Sequence, residues 1–149
     1  MNEEIENLLD REQFVLASIQ KRALAFFIDE VLLSIIFIAI IWKYFVQATN
    51  IEQMIDLTNS FVLEYMALKI VYQTFFVALY GASIGKIVTK IKVIEIMTLE
   101  KPGIIVSFNR AVFRVISEMI FYLGFLWGVM NPSRQAWHDL TAKTLVIDA

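Results

Sequence analysis

Two acidic side chains inside a long apolar stretch are the residues whose type and spacing most suggest chemistry. Asp29 and Glu30 lie within residues 23–44, which are otherwise largely apolar. An acid near the middle of a membrane helix costs about 2.5 to 3.5 kcal/mol to insert, so it usually faces a protein interior or a wet cavity and has a partner. Arg22 precedes Asp29 by seven residues, two helical turns, and so lies on the same helical face. Asp29 is expected either to exchange a proton or cation or to form a structural ion pair with Arg22 or another cation.

The other charged candidates within apolar stretches are interpreted from their helical spacing. Glu30 points about 100° away from Asp29 around a helix, so both cannot line one narrow path. We expect Glu30 to reach the membrane surface instead. Arg110, Arg114 and Glu118 follow at four-residue spacing. This spacing predicts an ion pair between Arg114 and Glu118.

His138 and Asp139 form the last candidate group. His138 is the sole histidine of the sequence. It is expected either to shuttle protons near neutral pH or, as is commoner, to be a cap or interfacial residue. The two side chains are adjacent in sequence and should diverge. Asp139 is expected either to cap a short helix or to contact Arg22, in which case Arg22 would bridge Asp29 and Asp139.

The composition indicates an integral membrane protein with one domain. The 149 residues are 58% hydrophobic and include twelve phenylalanines. The nearly balanced net charge of −2 argues against nucleic acid as a partner. The absence of cysteine excludes disulfides, thiolate metal sites and thiol catalysis. The acidic N-terminus lacks the pattern of a cleaved secretory signal, so we expect the first span to be retained.

Apolar length defines two membrane spans. Residues 23–44 would extend roughly 33 Å as a helix, enough for a hydrocarbon core of about 30 Å. A second membrane segment is placed between Lys69 and Lys86, because both ammonium groups then reach a surface. The expected parts of the single domain are an acidic arm (1–13), a first span (23–45), a second span (68–86), a connector (87–108), a third helical segment (109–131) and a tail (132–149).

The distribution of lysines predicts the sidedness. Residues 47–59 contain no Lys or Arg, whereas four lysines lie in residues 86–101. The positive-inside rule then places the N-terminus and the connector in the cytoplasm. β-Branched residues in 91–96, the turn signal Lys101-Pro102-Gly103 and residues 104–106 predict a short cytoplasmic hairpin, to which residues 144–147 would add a third strand.

The third helical segment allows two interpretations. Only residues 119–130 are free of charge, which is short for a span. Residues 109–130 either cross the membrane completely, with Arg114 and Glu118 buried as a pair, or turn near Gly124 and return as a re-entrant segment. We favour the re-entrant alternative because it keeps the basic residues after Met130 on the cytoplasmic side.

Three stretches in this order resemble the RDD family of small prokaryotic membrane proteins. They are KRALAFFIDEVLLS, GASIGKIVTKIKVI and NPSRQAWHDLTAKTLVI, and the resemblance extends over nearly the whole chain from about Phe14. The family is named for one arginine and two aspartates, and the resemblance assigns these to Arg22, Asp29 and Asp139. Most members of the family have no assigned molecular function, and transport, including cation/proton exchange in some members, has been proposed for it. The sequence departs from the family pattern in having a single basic residue in the last turn, Arg134, and an extra acid, Glu30.

The sequence therefore predicts an all-α integral membrane protein with two transmembrane helices, a third spanning or re-entrant segment and a small cytoplasmic β element. We expect it in the prokaryotic cytoplasmic (inner) membrane, in contact with lipid and with further copies of itself. One hypothesis is that it moves a monovalent cation or proton through the Arg22, Asp29 and Asp139 set. The alternative is a non-enzymatic scaffold or assembly partner in which these charges are structural. No catalytic residue, metal site or cofactor is predicted.

Overall fold

The computed structural model describes residues 2–149, and most of them are helical. The fold-class prediction is confirmed, since two helices are long and apolar enough to span a membrane and a small two-stranded sheet accompanies them. In chain order the elements are α1 (Asn2–Glu12), α2 (Ile19–Phe45), α3 (Ile51–Ser60), α4 (Val62–Tyr80), α5 (Ile84–Val88), β1 (Ile91–Glu95), α6 (Ile104–Met119), α7 (Leu123–Met130), α8 (Trp137–Ala142) and β2 (Thr144–Asp148).

Helix α2 is the first span, and its sequence explains why one face is buried. The Ser18 side chain caps the helix by accepting a hydrogen bond from the Lys21 N–H at 3.2 Å. The buried residues recur every four positions and so form one stripe: Ala25, Asp29, Leu33, Phe37 and Ile41. Large apolar side chains cover the rest of the helix and are exposed, as expected for contact with lipid.

Helix α4 is the second span, and it corrects the expected position of Lys69. This lysine was expected at a membrane surface, but it is the eighth residue of α4 and is buried. A surface position was expected because a lone ammonium group is costly to bury. Lys69 is not alone, since it has acidic partners on two other helices. Gly81 ends α4 in the left-handed conformation, with φ of +69°, which glycine adopts without strain.

The sheet brings distant parts of the chain to one side, which we call the sheet side. Strands β1 and β2 are antiparallel, from Ile91 opposite Asp148 to Glu95 opposite Thr144. The prediction of a hairpin that includes residues 104–106 is wrong, because these residues begin α6. The N-terminal segment joins through an isolated bridge between Leu16 and Ile147.

The segments before α2 also differ from expectation. Residues 2–12 of the expected acidic arm form the helix α1, and Ile5 packs in an apolar cluster with β1 and β2. Residues 14–18, between the expected arm and the first span, are not helical, and the Ala17 N–H donates to the Val146 carbonyl at 3.0 Å.

Helices α6 and α7 form a bent pair rather than a straight helix. They meet at an angle of 104°, and Phe121 and Tyr122 at the break have positive φ values. Both ends of the pair are tied to the sheet side: Gly103 N–H donates to Glu95 at 3.2 Å, and Arg134 donates to the Ala17 carbonyl at 3.1 Å. This arrangement supports the re-entrant alternative, with the turn slightly earlier than Gly124.

Candidate functional site

Asp29 is surrounded by hydrogen-bond donors that bind both of its carboxylate oxygens, and we call this group the Asp29 cage. The residue is fully buried on α2. Its Oδ1 accepts hydrogen bonds from the Tyr72 hydroxyl at 2.7 Å and the Gly85 N–H at 2.8 Å. Its Oδ2 accepts from the Ser83 hydroxyl at 2.6 Å and from the Gln73 amide at 3.4 Å. Four donors stabilise the ionised carboxylate and leave little capacity for a proton or a metal ion.

The Asp29 cage depends on a close approach between α5 and α2. The Ser83 side chain caps α5, and the Gly85 N–H of its first turn points at Asp29. A Cβ atom on Gly85 would lie 2.1 Å from the Ala25 carbonyl oxygen, so only glycine fits at this contact. The sequence contained this signal in the GASIG stretch, but its role as a partner of Asp29 was not predicted.

Asp139 is the centre of a second buried group, the Asp139 cluster. Arg22 Nη2 lies 2.5 Å from Asp139 Oδ2, so the contact that the sequence suggested is present. Arg110 pairs with the other carboxylate oxygen and also donates to the Thr144 hydroxyl. Asp139 further accepts the Ala136 N–H at 3.1 Å at the start of α8.

The expected bridge from Arg22 to both aspartates is wrong. Within residues 3–149, Arg22 forms an ion pair with Asp139 and none with Asp29. The arrangement is the reverse of the hypothesis, because two arginines share one aspartate. Arg110 was not predicted as a partner of Asp139, although its spacing of four from Arg114 had already placed it on the buried face of α6.

A third buried group, the acid–lysine triad, joins the two spans and α6. Lys69 Nζ lies 2.9 Å from Glu30 Oε2 and also binds Glu118. The prediction that Glu30 reaches the membrane surface is wrong, since its side chain points inward and also accepts from the Tyr65 hydroxyl at 3.4 Å. Glu30 lies eleven residues into α2, and Lys69 lies eleven residues before the end of α4, so the triad lies about 17 Å from the sheet side, near the middle of a membrane.

Arg114 connects the triad with the Asp29 cage. Its guanidinium nitrogens lie 3.9 Å from Asp29, 3.9 Å from Glu30 and 3.6 Å from Glu118, so the predicted pair with Glu118 is confirmed. Lys69 and Arg114 thus contact the carboxylates of Asp29, Glu30 and Glu118. Lys86 is a third cation near Asp29, and its Nζ lies 3.4 Å from the Ser83 hydroxyl that donates to Asp29. The Oε1 atoms of Glu30 and Glu118 are buried and accept no hydrogen bond from the described residues.

Two cavities approach this charge network from opposite ends. The first, of about 250 Å³, lies at the sheet side and is lined by Arg22 and Arg114 among others. The second, of about 230 Å³, extends from Thr58 and Val62 to Lys69 and Glu118. The triad therefore borders the second cavity, which lies away from the sheet side. Arg114 separates the triad from the first cavity.

His138 and Asp139 lie outside the spanning helices, and their environments fix their charges. Burial, which the Asp139 carboxylate only partly offsets, holds the pKa of His138 well below its usual range. This shift favours the neutral imidazole and argues against the shuttle alternative for His138. Burial opposes ionisation of Asp139, but Arg110 and Arg22 hold the pKa of its carboxyl well below the usual range. The His138 Nε2 to Asp139 Oδ1 distance is 3.7 Å, too long for a hydrogen bond.

Comparisons with known proteins agree with the resemblance found in the sequence. The sequence model of the RDD family matches residues 16–143, which is most of the chain. The matched region includes Arg22, Asp29 and Asp139. No curated protein and no solved structure matches the chain significantly.

Proposed function

The chain belongs to the RDD family, and from this premise we propose that this membrane protein moves protons or a monovalent cation through its acid–lysine triad. The observation that carries the proposal is a pair of carboxylate oxygens without a hydrogen bond at mid-membrane. The Oε1 atoms of Glu30 and Glu118 are buried, and neither accepts a hydrogen bond from the described residues. A proton or monovalent cation would satisfy these oxygens.

The position of the triad between two cavities supports the same proposal. A transport site must be reached from both sides of a membrane, and such sites usually lie near the midplane. Arg114 faces the triad and also lines the cavity at the sheet side. A small shift of Arg114 would open the triad toward that side. The oxygens of Asp29 and Asp139 are already bound by donors and cations, so these two residues hold the helices in place around the triad.

Proton or cation flux in liposomes tests the proposal. Glu30→Gln and Glu118→Gln each remove the charge with little change in shape, and each is expected to lower flux by about tenfold or more. Glu64→Gln is the matched control, because Glu64 is an exposed acid in the first turn of α4. Its flux should equal that of the wild type.

Folding must be checked in the same samples. Each variant should elute like the wild type and unfold at a similar temperature in mild detergent. We propose a homo-oligomer, since so few helices enclose only part of a path, and the wild-type particle should have the mass of at least two copies. Wild-type protein that conducts no H⁺, Na⁺ or K⁺ under any imposed gradient would overturn the transport proposal, as would full activity in Glu118→Gln.

A non-enzymatic scaffold is the second candidate, and one observation favours it. Asp29 and Asp139 are saturated with donors and cations, as structural anions are. In this proposal the charges fix how the helices pack, and the protein serves an assembly partner in the membrane. Absence of flux together with loss of the fold in Asp29→Asn would support it.

We also propose the prokaryotic cytoplasmic membrane as the location, with the sheet side in the cytoplasm. Lys86, Lys90, Lys92 and Lys101 follow α4 on that side, and the region 47–59 has neither Lys nor Arg. The chain has no cysteine, so single introduced cysteines report sidedness. A membrane-impermeant maleimide added to intact cells should label Gln47→Cys and leave Glu4→Cys unlabelled. The opposite labelling would invert the orientation.

A further inference from the structure

The cavity at the sheet side has an unusually cationic lining. It lies between the first turns of α2 and helix α7. Its wall includes the cations Arg22, Lys86, Arg110 and Arg114 together with the uncharged His138, and no Asp or Glu of the described residues. A cavity with this lining attracts anions.

The positive charge around the cavity is incompletely neutralised by the protein. Lys86 is buried, its Nζ donates to the Ser83 hydroxyl at 3.4 Å, and no carboxylate of residues 3–149 lies within ion-pair distance of it. Arg22 and Arg110 share the single carboxylate of Asp139. Burial and the neighbouring Arg114 lower the pKa of Lys86 to about 7, although Asp29 acts in the opposite direction. Lys86 therefore has a hydrogen bond but no direct ion pair in its buried position, and an incoming anion would supply one.

The apolar part of the lining faces lipid. Phe26, Tyr122, Phe125 and Val129 form this part, and Tyr122 and Val129 are also about half exposed on the outside of the molecule. Arg22 lies only three residues after the start of α2, which places the cationic part near headgroup depth when α2 spans a membrane. The cavity therefore offers a cationic end near the membrane surface and an apolar end beside the acyl chains.

We propose that this cavity binds the phosphate of an anionic phospholipid, with the guanidinium and ammonium groups around the phosphate and the acyl chains along α7. Arginine and lysine together suit phosphate oxygens, and basic pockets between membrane helices on the cytoplasmic side are suited to lipid headgroups. The proposal does not rest on transport, because it is argued from the lining of the cavity, although Arg114 also contacts the triad. A free phosphate ion has the same head chemistry and is distinguished by the test.

The test measures lipid binding to the full chain in neutral detergent by native mass spectrometry. The probes are dioleoylphosphatidylglycerol, dioleoylphosphatidylcholine, dioleoylglycerol and inorganic phosphate. We expect phosphatidylglycerol to bind best and dioleoylglycerol not to bind. Lys86→Gln should weaken phosphatidylglycerol binding about ten- to a hundredfold, the effect of losing a charged hydrogen bond. Lys92→Gln, the same change at an exposed lysine of β1, should bind like the wild type.

A second pair of variants keeps the test valid if Lys86→Gln fails to fold. Ala23→Glu places a carboxylate on the cavity wall, in the exposed first turns of α2, and should compete with the lipid. Gln20→Glu adds the same charge on the same helix outside the wall and should not. Displacement of bound lipid by inorganic phosphate supports the proposal. Equal binding of the zwitterionic and anionic lipids, unchanged binding in Ala23→Glu, or binding of inorganic phosphate without phosphatidylglycerol would overturn it.

Discussion

Asp139→Asn is expected to destabilise the protein by about 3 to 5 kcal/mol, because it leaves buried arginines without a carboxylate. Asp139 is fully buried, and its two oxygens bind Arg22 and Arg110. Asparagine has nearly the same shape, so the loss would reflect charge rather than packing. The measurement is the unfolding midpoint in detergent, followed by the fluorescence of the three tryptophans.

Asp148→Asn is the matched control for this change. Asp148 pairs with Lys21 at 2.9 Å, but both side chains are more than a third exposed. A surface ion pair of this kind contributes about 0 to 1 kcal/mol. Wild-type stability in Asp139→Asn would contradict the assignment of Asp139 as the anion that holds α2, α6 and α8 together.

The stability difference between wild type and Asp139→Asn should depend on pH, because the pKa of the Asp139 carboxyl is lowered in the folded protein. The stabilisation that the carboxylate provides is fully present above the pKa of an unfolded aspartate, near about 3.9. It is lost as the pH falls through the lower folded-state value. The stability gap between wild type and Asp139→Asn should therefore stay constant from about pH 8 to 5 and narrow only below about pH 4.

The sequence predicted those features that depend on a single helix. Apolar length located α2, whereas the second span was placed at residues 68–86 and α4 runs from Val62 to Tyr80. Four-residue spacing identified the pair of Arg114 and Glu118. The contact of Arg22 with Asp139 was suggested because both were expected at the same membrane depth. The existence of a small sheet followed from β-branched residues near positions 91 and 144.

Features that depend on packing between helices could not be predicted. Lys69 and Glu30 were each expected to reach a membrane surface, because neither has an opposite charge near it on its own helix. Lys69 in fact pairs with both Glu30 and Glu118, and only the packing of α2, α4 and α6 brings the three side chains together. Likewise, β1 pairs with β2 rather than with residues 104–106, since α6 must begin there for Arg110 to reach Asp139.

Gly85→Ala should be nearly as damaging as the loss of Asp139, by about 3 to 5 kcal/mol, because steric overlap and a lost charged hydrogen bond add. The new Cβ would lie 2.1 Å from the Ala25 carbonyl oxygen and 2.9 Å from Asp29 Oδ1. The Ala25 oxygen belongs to the backbone of a packed helix and has little freedom to move. Helix α5 must shift away from α2, and the Gly85 N–H then loses its 2.8 Å hydrogen bond to Asp29.

Gly103→Ala separates this steric effect from a general effect of adding a methyl group. Apart from Gly103 and its two chain neighbours, no described residue has an atom within 4 Å of a Cβ built there, so the stability of Gly103→Ala should change by less than about 1 kcal/mol. Hydrogen–deuterium exchange gives a second readout: residues 83–88 should exchange faster in Gly85→Ala and at the wild-type rate in Gly103→Ala. If Gly85→Ala unfolds and exchanges like the wild type, α5 does not pack against α2, and the donors assigned to Asp29 from Ser83 and Gly85 must come from elsewhere. In that case Asp29 would have free oxygens, and it would replace Glu30 and Glu118 as the first candidate for carrying a proton.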